Sequence, residues 1–200
     1  LVTGVQTCAL PIYVSNAPDF RSDPGAPFEA RIRFDLSGVE PQVALPGGPD
    51  RAERLSQVAG QSIDHATLGA CGSGMYEDFA AAARLLKGRK IAEHVRMFVV
   101  PGTQATARRM ADDGLTQIFV DAGAMLLPPG CGPCAGGMMA PLGPGEVSVA
   151  TAATNHAGRF GSNDAEIYLA SPLTVAASAV AGCLADPGTL SSRPTEGGVR

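Results

Sequence analysis

Three cysteines stand where apolar runs give way to glycine turns, and they restrict the folds open to this chain more than any other feature. Cys71 follows Ala66-Thr67-Leu68-Gly69-Ala70 and precedes Gly72-Ser73-Gly74. Cys131 and Cys134 lie in the loop Pro129-Gly130-Cys131-Gly132-Pro133-Cys134-Ala135-Gly136-Gly137. Proline fixes φ there, and glycine lets the backbone approach a bulky inorganic group, so the Cys-x-x-Cys pair is a rigid two-thiolate clamp. Three thiolates from two such turns make an incomplete tetrahedral set. Taken alone, the Cys131/Cys134 pair equally suits half of a structural zinc site or a redox dithiol. Neither of those readings gives Cys71 a role.

From Ser62 onward, strand and helix patterns alternate. Ala66–Ala70 reads as a strand that leads through the Cys71 turn into a helix from Tyr76 to Lys87, with acids in its first turn and Gly88 as its stop. Met97–Val100 is a short buried strand, and Thr103 caps a second helix that Gly114 ends. Leu115–Met125 reads as a third helix, and Val147–Thr151 and Ile167–Ala170 as strands. Ser171 and Pro172 fit the N-cap and first position of a last helix running to Ala181. This order predicts an α/β fold, a mainly parallel sheet flanked by helices and covered on both faces. With 45% hydrophobic but only 5% aromatic residues, its core must be built from Ala, Val, Leu and Ile.

Several function classes drop out on composition. A net charge of −4 gives no hint of a nucleic-acid partner. No apolar run approaches the roughly eighteen residues of a membrane span. Five unevenly spaced cysteines do not read as a secreted disulfide framework, so an intracellular, cytoplasmic chain is expected.

The ends need separate treatment. Residues 1–12 resemble the translation of a sequencing-adapter oligonucleotide, so they and Cys8 are set aside and the chain is expected to be a C-terminal fragment. Residues 13–61 read as the end of a preceding α/β domain plus a linker. Within them Phe28–Leu36 alternates like a half-buried strand, whereas Val39–Asp50, broken by Pro41, Pro46, Gly47, Gly48 and Pro49, reads as an irregular surface crossing. Arg51–Gly60 reads as a short helical turn. Residues 62–187 form the expected cysteine-bearing domain, and 188–200 a frayed tail. Cys183 reads as a buried small hydrophobe. His65, His94 and His156 are isolated and read as structural or exposed.

Between about Asp23 and Pro187 the chain resembles the aconitase superfamily, specifically its 3-isopropylmalate dehydratase and homoaconitase-like large subunits. The segments that carry the resemblance are Asp35-Leu36-Ser37-Gly38-Val39-Glu40-Pro41, the Cys71 turn with Glu77-Asp78, and Val100-Pro101-Gly102. It continues through Ala122-Gly123-Ala124, Pro129–Cys134, Gly158-Arg159 and Ser171-Pro172 to Gly182. The resemblance implies a 4Fe–4S cluster held by Cys71, Cys131 and Cys134, with the fourth iron open as a Lewis acid. It implies a hydro-lyase acting on a hydroxy acid, with Arg159 on a substrate carboxylate and isopropylmalate, in leucine biosynthesis, as the first expected substrate. Other malate or citrate homologues, and a non-catalytic iron–sulfur or metal-binding protein, are the alternatives. It further implies a small swivelling-domain subunit carrying the serine base, other catalytic residues upstream of this segment, and an isolated segment without activity. Two departures stand out. Cys71-Gly72-Ser73-Gly74 replaces the usual Cys-Thr-Asn-Gly, and Ala153-Thr154-Asn155-His156-Ala157 replaces Asn-Arg-Asn-Phe-x.

Overall fold

The structure is a computed structural model that describes residues 23–30, 32, 33, 35 and 37–191. Its contacts divide the chain into two compact units, Leu1–Val39 and Glu40–Arg200. The expected adapter-like segment lies outside the described residues, as do positions 192–200.

In the first unit the described residues form turns and irregular backbone. The described residues of the half-buried strand expected over Phe28–Leu36 form no strand, and Ile32 is 73% exposed. Alternation supplies a face but no neighbouring backbone to complete a ladder. The Asp35 carboxylate also accepts hydrogen bonds from the Ser37 amide and hydroxyl at 3.0 and 2.6 Å, a local turn that ends an extended run. Those two bonds hold the Asp35 carboxyl below its ordinary pKa.

The second unit is built on a seven-stranded sheet. Its strands are β1 (Gln42–Ala44), β2 (Ala52–Arg54), β3 (His65–Gly69), β4 (Arg96–Val100), β5 (Met125–Leu126), β6 (Val147–Ala150) and β7 (Glu166–Leu169). They lie in the order β2-β1-β7-β6-β3-β4-β5. From β7 to β5 every pairing is parallel, with β3 central and matched His65 to Arg96 on one side and His65 to Ser148 on the other. The hairpin β1–β2 joins this sheet antiparallel through Ala44 opposite Leu169.

The hairpin corrects the irregular crossing expected over Val39–Asp50. Its prolines and glycines fall outside Gln42–Ala44, and the turn they make is what lets β1 and β2 meet. Likewise β5 occupies the end of the expected helix Leu115–Met125. Gly123, at φ 100°, stops that helix in the left-handed region, and the chain leaves as a strand.

The helices are α1 (Leu55–Val58), α2 (Tyr76–Leu86), α3 (Gln104–Asp112), α4 (Leu115–Ala122), α5 (Pro172–Ala181) and α6 (Pro187–Ser191). α6 begins where the sequence suggests a frayed tail. Thr103 and Ser171 cap as expected, their hydroxyls accepting from the Thr106 and Thr174 amides. The strand residues alternate between two packing clusters. Ala66, Leu68, Met97, Val99 and Val149 join Phe79, Ala82, Leu86, Phe119, Val175 and Ala176 from the helices in one. A wholly buried Phe or Leu of this kind contributes about 1.5–3 kcal/mol. The opposite sheet face carries Ala150 and Ile167, packed under loop residues Cys134, Leu142, Phe160 and Ala165. Both faces are covered as expected, and among the described residues loops cover this second one. The longer glycine- and proline-rich connections follow β5 and β6, and they fold over it.

Candidate functional site

In a parallel sheet the strands all point their carboxyl ends the same way, so the loops that follow them gather at one edge. Cys71 follows β3 and Pro101-Gly102 follows β4, while Cys131 and Cys134 lie in the loop after β5 and Thr154–Arg159 after β6. Backbone bonds tie these loops together. The Ala70 amide donates to Val100 O at 2.8 Å, Gly102 N to Gly74 O at 3.0 Å, and Gly130 N to Pro101 O at 3.1 Å.

Two glycines allow the approach. A Cβ on Gly74 would stand 2.8 Å from the Gly102 Cα, and one on Gly132 would stand 2.8 Å from Val100 Cγ2. Gly132 also sits at φ 54°, where a side chain is strained. The short 3₁₀ turn Gly132–Cys134 then folds the Cys-x-x-Cys segment inward, with the Cys134 amide donating to Cys131 O.

The result brings cysteines sixty residues apart together. The Sγ atoms of Cys71 and Cys131 are 3.4 Å apart, and both residues are exposed. Cys134 is buried, and an Arg159 Nη2 lies 3.7 Å from its sulfur. The contact with Cys71 holds the Cys131 thiol above its ordinary pKa, helped by repulsion between the ionised sulfurs; Arg159 pulls the other way. Two thiolates this close repel unless a cation compensates them. Among the described residues no group of three Cys, His, Asp or Glu side chains has the spacing of a single bound metal ion. What the site offers is soft sulfur at an open edge, beside one guanidinium.

Behind the cysteines lies a polar brace that motif reading did not find. Thr151, at the end of β6, accepts from the Gly69 amide at 2.7 Å and donates to Gly69 O at 3.0 Å. The Ser73 hydroxyl bonds Gly69 O at 2.9 Å and also meets the carbonyl of Thr151. Ser73 thus ties the Cys71 turn to the neighbouring strand. Its signal in the sequence was a hydroxyl residue between glycines, which is common in any turn.

Arg159 sits at the rim of an open depression, lined with Thr154, His156, Gly158 and Asn163. Asn155, between Thr154 and His156 in the chain, is 2% exposed, and its amide nitrogen donates to Leu45 O at 2.6 Å and Ile167 O at 3.0 Å. The other candidates lie apart. Cys183 is half-buried and bridges antiparallel to Ser62, less enclosed than expected. His94 contacts Gly182 O at 3.2 Å. His65 is wholly buried between Phe98 and Phe160, with Nδ1 2.8 Å from the Ser148 hydroxyl.

The chain is 46% identical over 171 residues to a probable 3-isopropylmalate dehydratase large subunit of Methanothermobacter thermautotrophicus, covering 86% of this chain and 41% of the relative. It is 44% identical over 169 residues to a 3-isopropylmalate dehydratase large subunit of Nitratidesulfovibrio vulgaris, covering 84% and 40%. It is also 46% identical over 165 residues to a homoaconitase large subunit of Thermus thermophilus, covering 82% and 40%. The chain thus spans about two fifths of the length of the curated relatives it matches. The sequence model of the Aconitase family (aconitate hydratase) matches residues 52–182, from β2 to the end of α5. The chain belongs to the aconitase family.

Proposed function

We propose that this chain is the cysteine-bearing segment of a hydro-lyase large subunit, with 3-isopropylmalate as its substrate and a 4Fe–4S cluster held by Cys71, Cys131 and Cys134. The observation that carries the reading is the meeting of Cys71 and Cys131, 3.4 Å apart at Sγ, at the carboxyl edge of the sheet. The donor set fits the group. Its ligands are soft sulfur, their mutual repulsion calls for a positive centre, and Gly72 and Gly130 leave room at the turns. When bound, such a cluster supplies a Lewis-acidic iron that polarises a substrate hydroxyl.

The chain's own residues hold and orient. Arg159, already at the sulfurs, offers two parallel N–H donors to a substrate carboxylate. Ser73 and Thr151 fix the Cys71 turn, so the ligand sulfur stays in place when the site fills. Proton transfer falls to groups on the small subunit, the partner proposed here, and on the remaining part of the large subunit. In this reading the protein works in the cytoplasm, in leucine synthesis.

A second reading has one observation in its favour. Thr154 stands where the resemblance places an arginine, and a homoaconitase large subunit is among the relatives. The substrate would then be a longer malate or citrate homologue. Thr154→Arg in the complete enzyme separates the two. Turnover of isopropylmalate rises if the threonine is a loss, and falls if it makes room for another acid.

Anaerobic reconstitution with iron and sulfide tests the main reading. A cluster that readily releases one iron is expected, and Cys71→Ser, Cys131→Ser or Cys134→Ser should each weaken its assembly. Cys183→Ser should leave assembly intact. A stoichiometric zinc ion without sulfide would defeat the proposal.

A further inference from the structure

The depression beside the cysteines has an imbalance of charge. Among its lining residues, Arg159 supplies the single permanent positive charge, and Thr154 adds a hydroxyl without charge. A hydroxy dicarboxylate brings two negative charges. The other lining residue able to become a cation is His156.

His156 is also held in place. Its Nδ1 lies 3.0 Å from the carbonyl oxygen of Gly47, in the turn between β1 and β2. A carbonyl can only accept, so Nδ1 carries the hydrogen and the ring's orientation is set. That leaves Nε2, which has no hydrogen-bond partner among the described residues. The turn is itself anchored, because Asn155 O accepts from the Gly47 amide at 3.2 Å and the Asn155 side chain grips Leu45. The charged groups nearby are Arg159 on the same loop and, on the turn, Asp50 and Arg51, the latter engaged with Pro46 O.

We infer that His156 is a ligand-binding residue of this chain, its Nε2 donating to one carboxylate of a hydroxy di- or tricarboxylate whose other carboxylate is held by Arg159. The inference rests on the reading of the depression as a hydroxy-acid site. On binding, the ring takes one proton from solvent. The imidazolium then donates Nδ1–H to Gly47 and Nε2–H to the ligand. The second positive charge thereby comes from a position two residues beyond Thr154.

Calorimetric titration of the full 200-residue chain with malate, citrate and sulfate, in two buffers of different ionisation enthalpy, tests this. Wild type should bind malate or citrate with proton uptake. His156→Phe should lose the uptake and weaken binding roughly tenfold, the scale of one charge-assisted hydrogen bond. His156→Arg should restore affinity without uptake, which a merely structural histidine would not allow. Thermal melts establish that each variant is folded. Unchanged malate affinity and proton uptake in His156→Phe, with Arg159→Gln still abolishing binding, would overturn the inference alone. Equal binding of sulfate and malate, or no binding of either, would overturn it together with the hydroxy-acid reading of the depression.

Discussion

At the scale of single residues, Arg159 and His65 stand in contrasting surroundings. Arg159 would hold a carboxylate through a planar pair of donors, a geometry that lysine lacks. In the two-subunit enzyme proposed above, Arg159→Lys is expected to lower turnover roughly tenfold to a hundredfold, matching about 1.5–3 kcal/mol for a charged hydrogen bond. The visible absorption of the proposed cluster should stay unchanged; unaltered turnover of every hydroxy acid tried would remove Arg159 from the substrate site. His65 is different, because its role is in the fold. Burial, and secondarily the charge of Arg96, push its pKa from 6.5 down to about 4. Among the described residues its Nε2 has no hydrogen-bond partner, and the nearby Ala140 carbonyl, which favours the charged form, is outweighed. The unfolded chain therefore binds a proton at this histidine that the folded chain refuses. Stability should hold above pH about 6.5, fall on acidification toward pH about 4, and lose on the order of 3 kcal/mol across that window. Denaturant titrations at several pH values would show it. His65→Gln, which keeps a polar group beside Ser148, should flatten that part of the profile.

At the scale of elements, the turns matter more than the strands they follow. The strand β3 is wholly buried, but its carboxyl end decides where Cys71 stands. Gly132 is the sharper case, since its φ of 54° and its contact with Val100 both exclude a side chain. Gly132→Ala is expected to cost about 1–3 kcal/mol, from left-handed strain and overpacking together. It should also move the Cys131 and Cys134 sulfurs. A lowered melting temperature, with altered rates of thiol alkylation at Cys131, would be the reading; an unchanged melt would mean that the loop adjusts freely. These turns were legible in outline, because glycine and proline flank the cysteines. The opposing contacts, Val100 under Gly132 and Gly102 against Gly74, were not. They join residues about thirty positions apart, which no local pattern records.

At the scale of the whole sheet, stability is uneven. The β1–β2 hairpin meets the parallel strands at one register pair, Ala44 with Leu169. Its second tether is Asn155, whose two amide bonds span from Leu45 to Ile167. Asn155→Ala should cost about 1–3 kcal/mol through the carbonyls it leaves unpaired. Amide hydrogen exchange should then show residues 42–54 opening well before β3 and β4. Uniform protection across the sheet would contradict that picture.

The sequence by itself determined the strand–helix order from β3 to α5 apart from β5, the two helix caps that were expected, and the positions of the three cysteines. These depend on periodicity and on residues within one turn of each other, so they are written locally. It also carried the family, in motifs whose order and spacing match. Tertiary structure alone decided that a segment broken by prolines becomes β1, that loops cover one face of the sheet, and that Thr151, Ser73, Asn155 and His156 converge on the cysteine edge. Each of these is a contact between segments distant in the chain. Its free energy comes from a partner surface that exists only once the sheet has formed.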